Sequence, residues 1–198
     1  MPNYDQVNVV DDQDQILSTI DKLAAHRGKG LLHQAISLFM FKNDGQGKWQ
    51  LLLQQRSPQK IVGANQWANT VCGNVAVGET HRQCLLRRLD QELGLILNDS
   101  LQSRTQELMV FPYFIACNDQ YSEREIDHLF ALKISEIEWS GLSLQPKQAE
   151  VQQTAWVDWQ DLLSGQVSRQ YDLAPWFALF LSQEKIVNSF NQFLAINH

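Results

Sequence analysis

One segment, Glu79–Leu93, constrains the fold of this chain more than any other. Leucines recur there at the spacing of one helix face, at positions 85, 86, 89 and 93. Gly94 follows at once, and glycine commonly ends helices. The pattern therefore predicts a central helix whose apolar face must be covered by neighbouring elements.

The segments on both sides of this helix have the patterns of strands. Strands are predicted over residues 7–10, 33–42, 49–54, 110–116, 126–132 and 155–158. The second and third are expected to form a hairpin. A helix is predicted over Ile16–Ala25, and a short helix follows the last strand and ends at Leu163. One terminal helix is predicted to begin at Pro175. Together they predict a mixed α/β sandwich, in a single domain spanning residues 1–198 because no repeat or linker interrupts the chain.

Composition and charge argue against several classes of function. The net charge of −6 argues against a nucleic-acid partner, because binding to phosphate backbones usually requires a basic surface. No segment is apolar for long enough to cross a bilayer, and the first residues lack the pattern of a signal peptide, so no membrane partner is expected. The three cysteines form no paired motif, and a reducing cytoplasm is the expected location.

Arg88 and Glu92 lie four residues apart, so the predicted helix carries them on one face beside the leucines. Glu79 opens the same helix. Carboxylates and an arginine on one face are suited to hold a metal ion together with a phosphate group. The alternative is a solvated face with a surface salt bridge, which contributes little to stability. From the helix alone, both interpretations stay open.

A longer pattern resembles a known family. Five residues have the spacing of the Nudix box, a loop–helix–loop that holds divalent metal against a diphosphate: Gly73, Glu79, Arg87, Glu92 and Gly94. From about residue 26 to residue 176, the chain resembles one Nudix branch, the type I isopentenyl-diphosphate isomerases. The resemblance implies a Nudix-like fold and an enzyme that converts isopentenyl diphosphate to dimethylallyl diphosphate.

The box departs from that of Nudix hydrolases at two positions. Gln91 stands where hydrolases carry one of two adjacent carboxylates, and Arg88 stands where another glutamate is usual. Fewer carboxylates predict weaker clustering of metal ions and poorer activation of an attacking water. The added arginine favours holding a diphosphate over hydrolysing it.

The implied isomerisation requires an acid and a base on opposite faces of the substrate. An alkene must gain a proton, and a neighbouring carbon must lose one after a tertiary carbocation has formed. Cys72 is the predicted base or proton carrier, provided that nearby positive charge favours its thiolate. The resemblance implies that Glu125 and Tyr113 handle the proton on the other face. Trp176 is predicted to offer its π face to the carbocation, and Trp67 to form a pocket wall.

The resemblance also implies a divalent metal, Mg²⁺ or Mn²⁺. Its predicted protein ligands are His26, His33, Glu123 and Glu125. The two glutamates are two residues apart on a strand, so they share one face. Asn74 occupies the position of the family's third metal histidine, and its amide oxygen is a weaker ligand. Three outcomes stay open: looser binding, a preference for Mg²⁺ or Mn²⁺, or loss of the metal with drifted activity.

Four cations match the diphosphate-binding residues of the family: Lys22, Arg56, Lys60 and Arg88. A second ion, Mg²⁺, is predicted to bridge the diphosphate to Glu92. The expected partner is therefore a small-molecule diphosphate. Two other functions stay open: a Nudix hydrolase of a diphosphate-containing small molecule, and a diphosphate-binding protein whose metal site has decayed at Asn74.

Overall fold

The computed structural model of the chain describes residues 2–166 and 170–195. The strands are β1 (Asn3–Val10), β2 (Ile16–Asp21), β3 (His33–Asn43), β4 (Trp49–Arg56), β5 (Trp67–Ala68), β6 (Val71–Asn74), β7 (Ala76–Val77), β8 (Gln106–Ala116), β9 (Ser122–Ile134) and β10 (Val151–Asp158). The helices are α1 (Lys22–His26), α2 (His81–Arg88), α3 (Asp99–Arg104), α4 (Glu136–Ser140), α5 (Trp159–Ser164), α6 (Pro175–Ser182) and α7 (Glu184–Leu194). A π-helical segment, Leu89–Leu93, continues α2 and ends at Gly94.

Strand β3 is the centre of a mixed sheet. It pairs antiparallel with β1, β4 and β6 and parallel with β9, which in turn pairs antiparallel with β8. Every residue of β3 except Asn43 is buried, which explains its nearly continuous apolar sequence. The predicted hairpin is confirmed, because β3 and β4 pair from Phe41 with Leu51 to Asn43 with Trp49.

The two faces of β3 support two separate cores. Phe39 and Phe41 contact the aromatic side chains of α6 and α7 on one face, among them Phe190. Leu38 and Met40 pack on the other face, against the leucines of α2 and its π-helical continuation. Side chains alternate along a strand, so one buried strand joins both layers. The predicted apolar helix with strands around it is confirmed.

The helix predicted over residues 16–25 is wrong for its first part. Residues 16–21 form β2, which pairs antiparallel with β1, and the helix begins only at Lys22. The turn between the strands places Asp14 at a φ of 62°. Pairing with β1 satisfies the backbone groups of the β-branched segment, so the hairpin outweighs the helical pattern. The side chain of Asp21 then accepts a hydrogen bond from the Ala24 amide and starts α1.

The single terminal helix predicted from Pro175 is also wrong, since α6 and α7 are separated by Gln183 in an extended conformation. In one straight helix, Phe177 and Ile186 would point about 180° apart, given 3.6 residues per turn. Both side chains are buried in the same core. The break lets two successive helices cover one face of the sheet. No helix in the described ranges is long and apolar enough to cross a membrane.

Candidate active site

A cavity of about 440 Å³ collects most of the predicted site residues. Its lining includes Lys22, His26, Arg56, Lys60, Cys72, Asn74, Arg88, Tyr113, Glu123, Glu125 and Trp176. Three predicted residues lie behind the lining. His33 is fully buried, Glu92 is 1% exposed beneath Arg88, and Trp67 packs edge-on against Tyr171.

Two histidines and two glutamates form a group suited to a divalent cation. Each offers one ligand atom, and these atoms lie within 4.8 Å of one another in His26, His33, Glu123 and Glu125. The strand pairing places His33 opposite Glu125, and the two glutamates share one face of β9. His26 reaches the group as the last residue of α1, with its Nδ1 atom 2.9 Å from Oε2 of Glu123.

The electrostatics of this group also fit a cation. Burial and the charge of Glu125 raise the pKa of Glu123. Burial lowers the pKa of His26, but Glu123 and Glu125 outweigh it and raise that pKa to about 9. Both Nδ1 of His26 and Oε2 of Glu123 are buried and lack a well-aligned hydrogen bond within the described chain. A divalent cation would relieve the repulsion between the carboxylates.

Asn74 lies among these four side chains. Its Oδ1 atom is 3.2 Å from Nε2 of His26, and its Nδ2 atom is 3.0 Å from Nε2 of His33 and donates to Oε1 of Glu125 at 2.9 Å. Nδ1 of His33 is held by the Leu31 carbonyl at 2.7 Å, so its Nε2 faces the group. The amide is thus near both imidazoles and one carboxylate, and its role as a metal ligand stays a prediction.

Glu125 is paired with Tyr113 at the wall of the cavity. The Tyr113 hydroxyl donates to Oε2 of Glu125 at 2.6 Å, and both residues are buried. Burial raises the pKa of Glu125, but the hydrogen bond with His33, the charges of His33 and His26, and the Tyr113 bond outweigh it and lower the pKa to about 2. Burial and the charge of Glu125 raise the pKa of Tyr113 well above its usual value. The site therefore contains an ionised carboxylate beside a neutral phenol.

Cys72 lies on β6, two residues before Asn74, so both side chains share one face of that strand. Burial raises the pKa of Cys72 to about 12. Arg56 and Arg88 lower this pKa, but less than burial raises it. The positive charge that the sequence prediction required is present, but burial outweighs its effect on the pKa of Cys72.

The other end of the cavity is cationic. Arg88 forms an ion pair with the buried Glu92, and its Nη2 atom is 3.2 Å from Oε2 of Glu150. Lys60 pairs with the same Glu150 carboxylate. Burial and the charges of Arg88 and Lys60 lower the pKa of Lys22. An anion placed here would relieve the repulsion among these cations.

One aromatic side chain of the cavity lies against a cation. The guanidinium of Arg56 lies 5.0 Å from the ring centroid of Trp176, and it donates to the Val62 carbonyl at 3.1 and 3.0 Å. Trp176 is 3% exposed and lines the cavity from α6. The arrangement holds one cation over the π face of the predicted tryptophan.

Glu150 and Tyr4 are two charged or aromatic residues of this cavity that sequence reasoning missed. Glu150 lies in an irregular segment before β10, where no periodicity distinguishes it from a surface acid. Tyr4 lines the cavity from β1, with its ring centroid 5.0 Å from the guanidinium of Arg87. Only the strand pairing of β1 brings it there, so local sequence carries no signal for it.

Comparison with known proteins identifies the family. The NUDIX domain family matches residues 31–177. An isopentenyl-diphosphate Delta-isomerase of Saccharopolyspora erythraea is 32% identical over 172 residues, which cover 87% of this chain and 81% of that protein. A protein of the same name from Klebsiella pneumoniae is 30% identical over 192 residues, covering 96% of each chain. The chain belongs to the isopentenyl-diphosphate Delta-isomerase family of NUDIX proteins.

Solved structures show the same NUDIX fold. A crystal structure from Deinococcus radiodurans superposes with a TM-score of 0.67 at 19% identity, covering 89% of this chain and 96% of that one. At this identity, the likeness concerns the fold alone. The predicted Nudix-like mixed α/β fold is confirmed, and so is the resemblance to the isomerase branch.

Proposed function

We propose that this enzyme converts isopentenyl diphosphate to dimethylallyl diphosphate. The observation that carries the proposal is one cavity that joins Cys72 and Glu125 to a cluster of cations. Relatives at 30–32% identity bear the name of this activity. A substrate with a short apolar tail and a diphosphate head matches a cavity with one proton-exchanging end and one cationic end.

The chemistry requires two proton transfers at different carbons. The terminal alkene carbon gains a proton, and the carbon on the far side of the branch point loses one. Cys72 comes from β6 and Glu125 from β9, on either side of β3, and both line the cavity. We propose that they act on opposite faces of the substrate. The Tyr113 hydroxyl holds the Glu125 carboxylate in position. Trp176 stabilises the positive charge that develops between them.

The cationic end binds the diphosphate. We propose that Lys22, Arg56, Lys60 and Arg88 hold its oxygens, with Arg56 also fixed against Trp176. Glu92 as a ligand of a second Mg²⁺ ion stays a prediction. Its carboxylate is paired with Arg88 and accepts a hydrogen bond from Gln54 at 2.7 Å, so a cation there competes with Arg88.

We further propose that Mg²⁺ or Mn²⁺ binds to His26, His33, Glu123 and Glu125. When bound, the metal supplies positive charge that neutralises the two glutamates and restrains them. Within the protein, Tyr113 and Asn74 orient Glu125 through hydrogen bonds of 2.6 and 2.9 Å. The carboxylate is therefore fixed from two directions at the wall of the cavity.

The test is an assay of the full chain with isopentenyl diphosphate and Mg²⁺ or Mn²⁺. We expect formation of dimethylallyl diphosphate and, in Cys72→Ala, a decrease in kcat of about 10²–10⁴-fold. Cys117→Ala is the control, because that thiol does not line the cavity. Phosphate release that is insensitive to Cys72→Ala would favour a hydrolase. Tight binding without turnover would favour a diphosphate-binding protein, and either result rejects the isomerase.

A further inference from the structure

A second group of metal-ligating side chains lies on the opposite face of β9. Asp14, His81 and His128 each offer one ligand atom, and these atoms lie within 4.8 Å of one another. Alternate residues of a strand point to opposite faces, so His128 faces α2 while Glu123 and Glu125 face the cavity. These three residues are not among those lining the cavity.

The three side chains come from elements far apart in the chain. Asp14 lies in the turn between β1 and β2, His81 is the first residue of α2, and His128 lies on β9. The two imidazole rings are stacked with centroids 3.6 Å apart and planes 20° apart. The fold therefore brings two imidazoles and one carboxylate from three separate elements to one place.

One buried nitrogen in this group has no hydrogen-bond partner. Nε2 of His81 is inaccessible to solvent and is unsatisfied within the part of the chain that the structure describes. Such atoms are uncommon in native proteins, where a bound ion or an ordered water often satisfies them. The His81 side chain belongs to the same group as the Asp14 carboxylate and His128.

The neighbours of the group orient its ligands. Nδ1 of His128 lies 2.8 Å from Oε1 of Glu107, and Nε2 of the same ring lies 3.1 Å from Oδ2 of Asp14. The other oxygen of Asp14 accepts a hydrogen bond from Gln34 at 2.9 Å. In histidine metal sites, a carboxylate commonly holds one ring nitrogen while the other nitrogen faces the metal.

We propose that Asp14, His81 and His128 bind a divalent transition metal of the zinc class, oriented by Glu107 and Gln34. Two imidazole nitrogens, one carboxylate oxygen and an open fourth position make a ligand set that zinc accepts. Zinc–ligand bonds of about 2.0–2.1 Å require the side chains to close inward by about 1 Å. Two of the three ligands lie in a turn and at a helix start.

Such an ion would have a structural role. It would join the β1–β2 hairpin and the start of α2 to β9. The hairpin includes Tyr4, and α2 includes Arg87 and Arg88, all of which line the cavity. The metal would therefore fix two walls of the active site without touching the substrate, and this role does not depend on which reaction the cavity catalyses.

The competing explanation is that the His128 ring is held between Asp14 and Glu107 with no metal. Bound metal distinguishes the two. The full chain and three variants (His26→Asn, His81→Asn and the double variant) would be stripped with a chelator, dialysed against Zn²⁺ or Co²⁺, and measured by atomic emission. We expect the double variant to retain one equivalent of metal less than His26→Asn. Equal metal contents in these two proteins would overturn the proposal.

A second variant keeps the test decisive if His81→Asn does not fold. In the His26→Asn protein, Asp14→Asn should remove the increase in melting temperature on addition of Zn²⁺ and the visible absorption of tetrahedral Co²⁺. Asp12→Asn is the matched control, because it removes the same charge from the same turn at an exposed position. Loss of both signals in the control as well, or their persistence in Asp14→Asn, would refute the site.

Discussion

A methyl group added at Gly73 should displace the side chain of Arg88 at the cationic end of the cavity. A Cβ atom there would lie 2.8 Å from Cδ and Nε of Arg88 and 2.9 Å from its Cγ. These are atoms in the middle of the side chain, so the whole guanidinium must move. The backbone of Gly73 is not in the left-handed region, so Gly73→Ala changes the available space and adds no backbone strain.

The cost follows from what Arg88 contacts. Its Nε atom donates to the Cys72 carbonyl at 3.2 Å, and its Nη2 atom contacts both Glu92 and Glu150. The side chain of Glu92 is only 1% exposed, so displacing the arginine leaves a buried carboxylate without its cation. Breaking a buried pair costs about 3–5 kcal/mol. We expect Gly73→Ala to lose about 3 kcal/mol, which corresponds to a decrease in melting temperature of about 6–12 °C.

The assay is thermal unfolding of Gly73→Ala beside Gly141→Ala, together with KM for isopentenyl diphosphate. The control glycine also has a negative φ, and its added Cβ would approach nothing closer than 3.4 Å. Stability should decrease and KM should increase only in the first variant. In an Arg88→Ala background, Gly73→Ala should be nearly silent, because the clashing atoms are gone. The same loss in both backgrounds, or no loss in either, would refute the steric explanation.

Three further predictions concern single side chains. Asn74→His should bind Mn²⁺ more tightly, because imidazole suits transition metals better than an amide oxygen does. If calorimetry shows an unchanged affinity for Mn²⁺, position 74 lies outside the coordination shell. Tyr113→Phe should reduce kcat by about 10–100-fold with little change in KM, since it removes the 2.6 Å hydrogen bond to Glu125. Equal changes in kcat and KM would contradict a role of Tyr113 in positioning Glu125. Burial raises the pKa of Glu79, but its bonds with Arg87 outweigh burial and lower that pKa. This stabilisation is present above the unfolded value of about 4.3 and is lost as pH decreases through the lowered folded value. In urea unfolding, Glu79→Gln should therefore destabilise the protein at pH 7, and the difference from the parent protein should shrink as the pH is lowered.

The elements that the sequence predicted well are those with a strong period or a clear end. The leucines before Gly94 have one helical period, and β3 is long and apolar. Strands β5, β6 and β7 were missed because two to four residues carry no period. The prediction for residues 16–21 was wrong because the structure of this segment depends on pairing with β1, which is a tertiary contact. The sequence therefore predicted individual helices and strands better than it predicted which strands pair with one another.

The site residues were predictable for a different reason. Their types and order along the chain resemble one family, and the fold brings eleven of these predicted residues to one cavity. The order of residues along the chain does not show which acidic side chain pairs with which basic one. Glu150 lies in a segment with no recognisable pattern, yet it contacts both Arg88 and Lys60. The burial of Glu92 beneath Arg88 likewise follows from packing, since a helical spacing of four residues is compatible with a solvated pair.

Asn74 lies where the resemblance predicts a metal histidine, and its contacts show what the amide does in this structure. An amide presents an acceptor and two donors at once, so it can contact His26, His33 and Glu125 together. A histidine at this position would present one lone pair and one N–H group. The asparagine therefore connects three members of the group through hydrogen bonds. Because Cys72 lies on the same face of β6, keeping Asn74 in register also keeps the thiol facing the cavity.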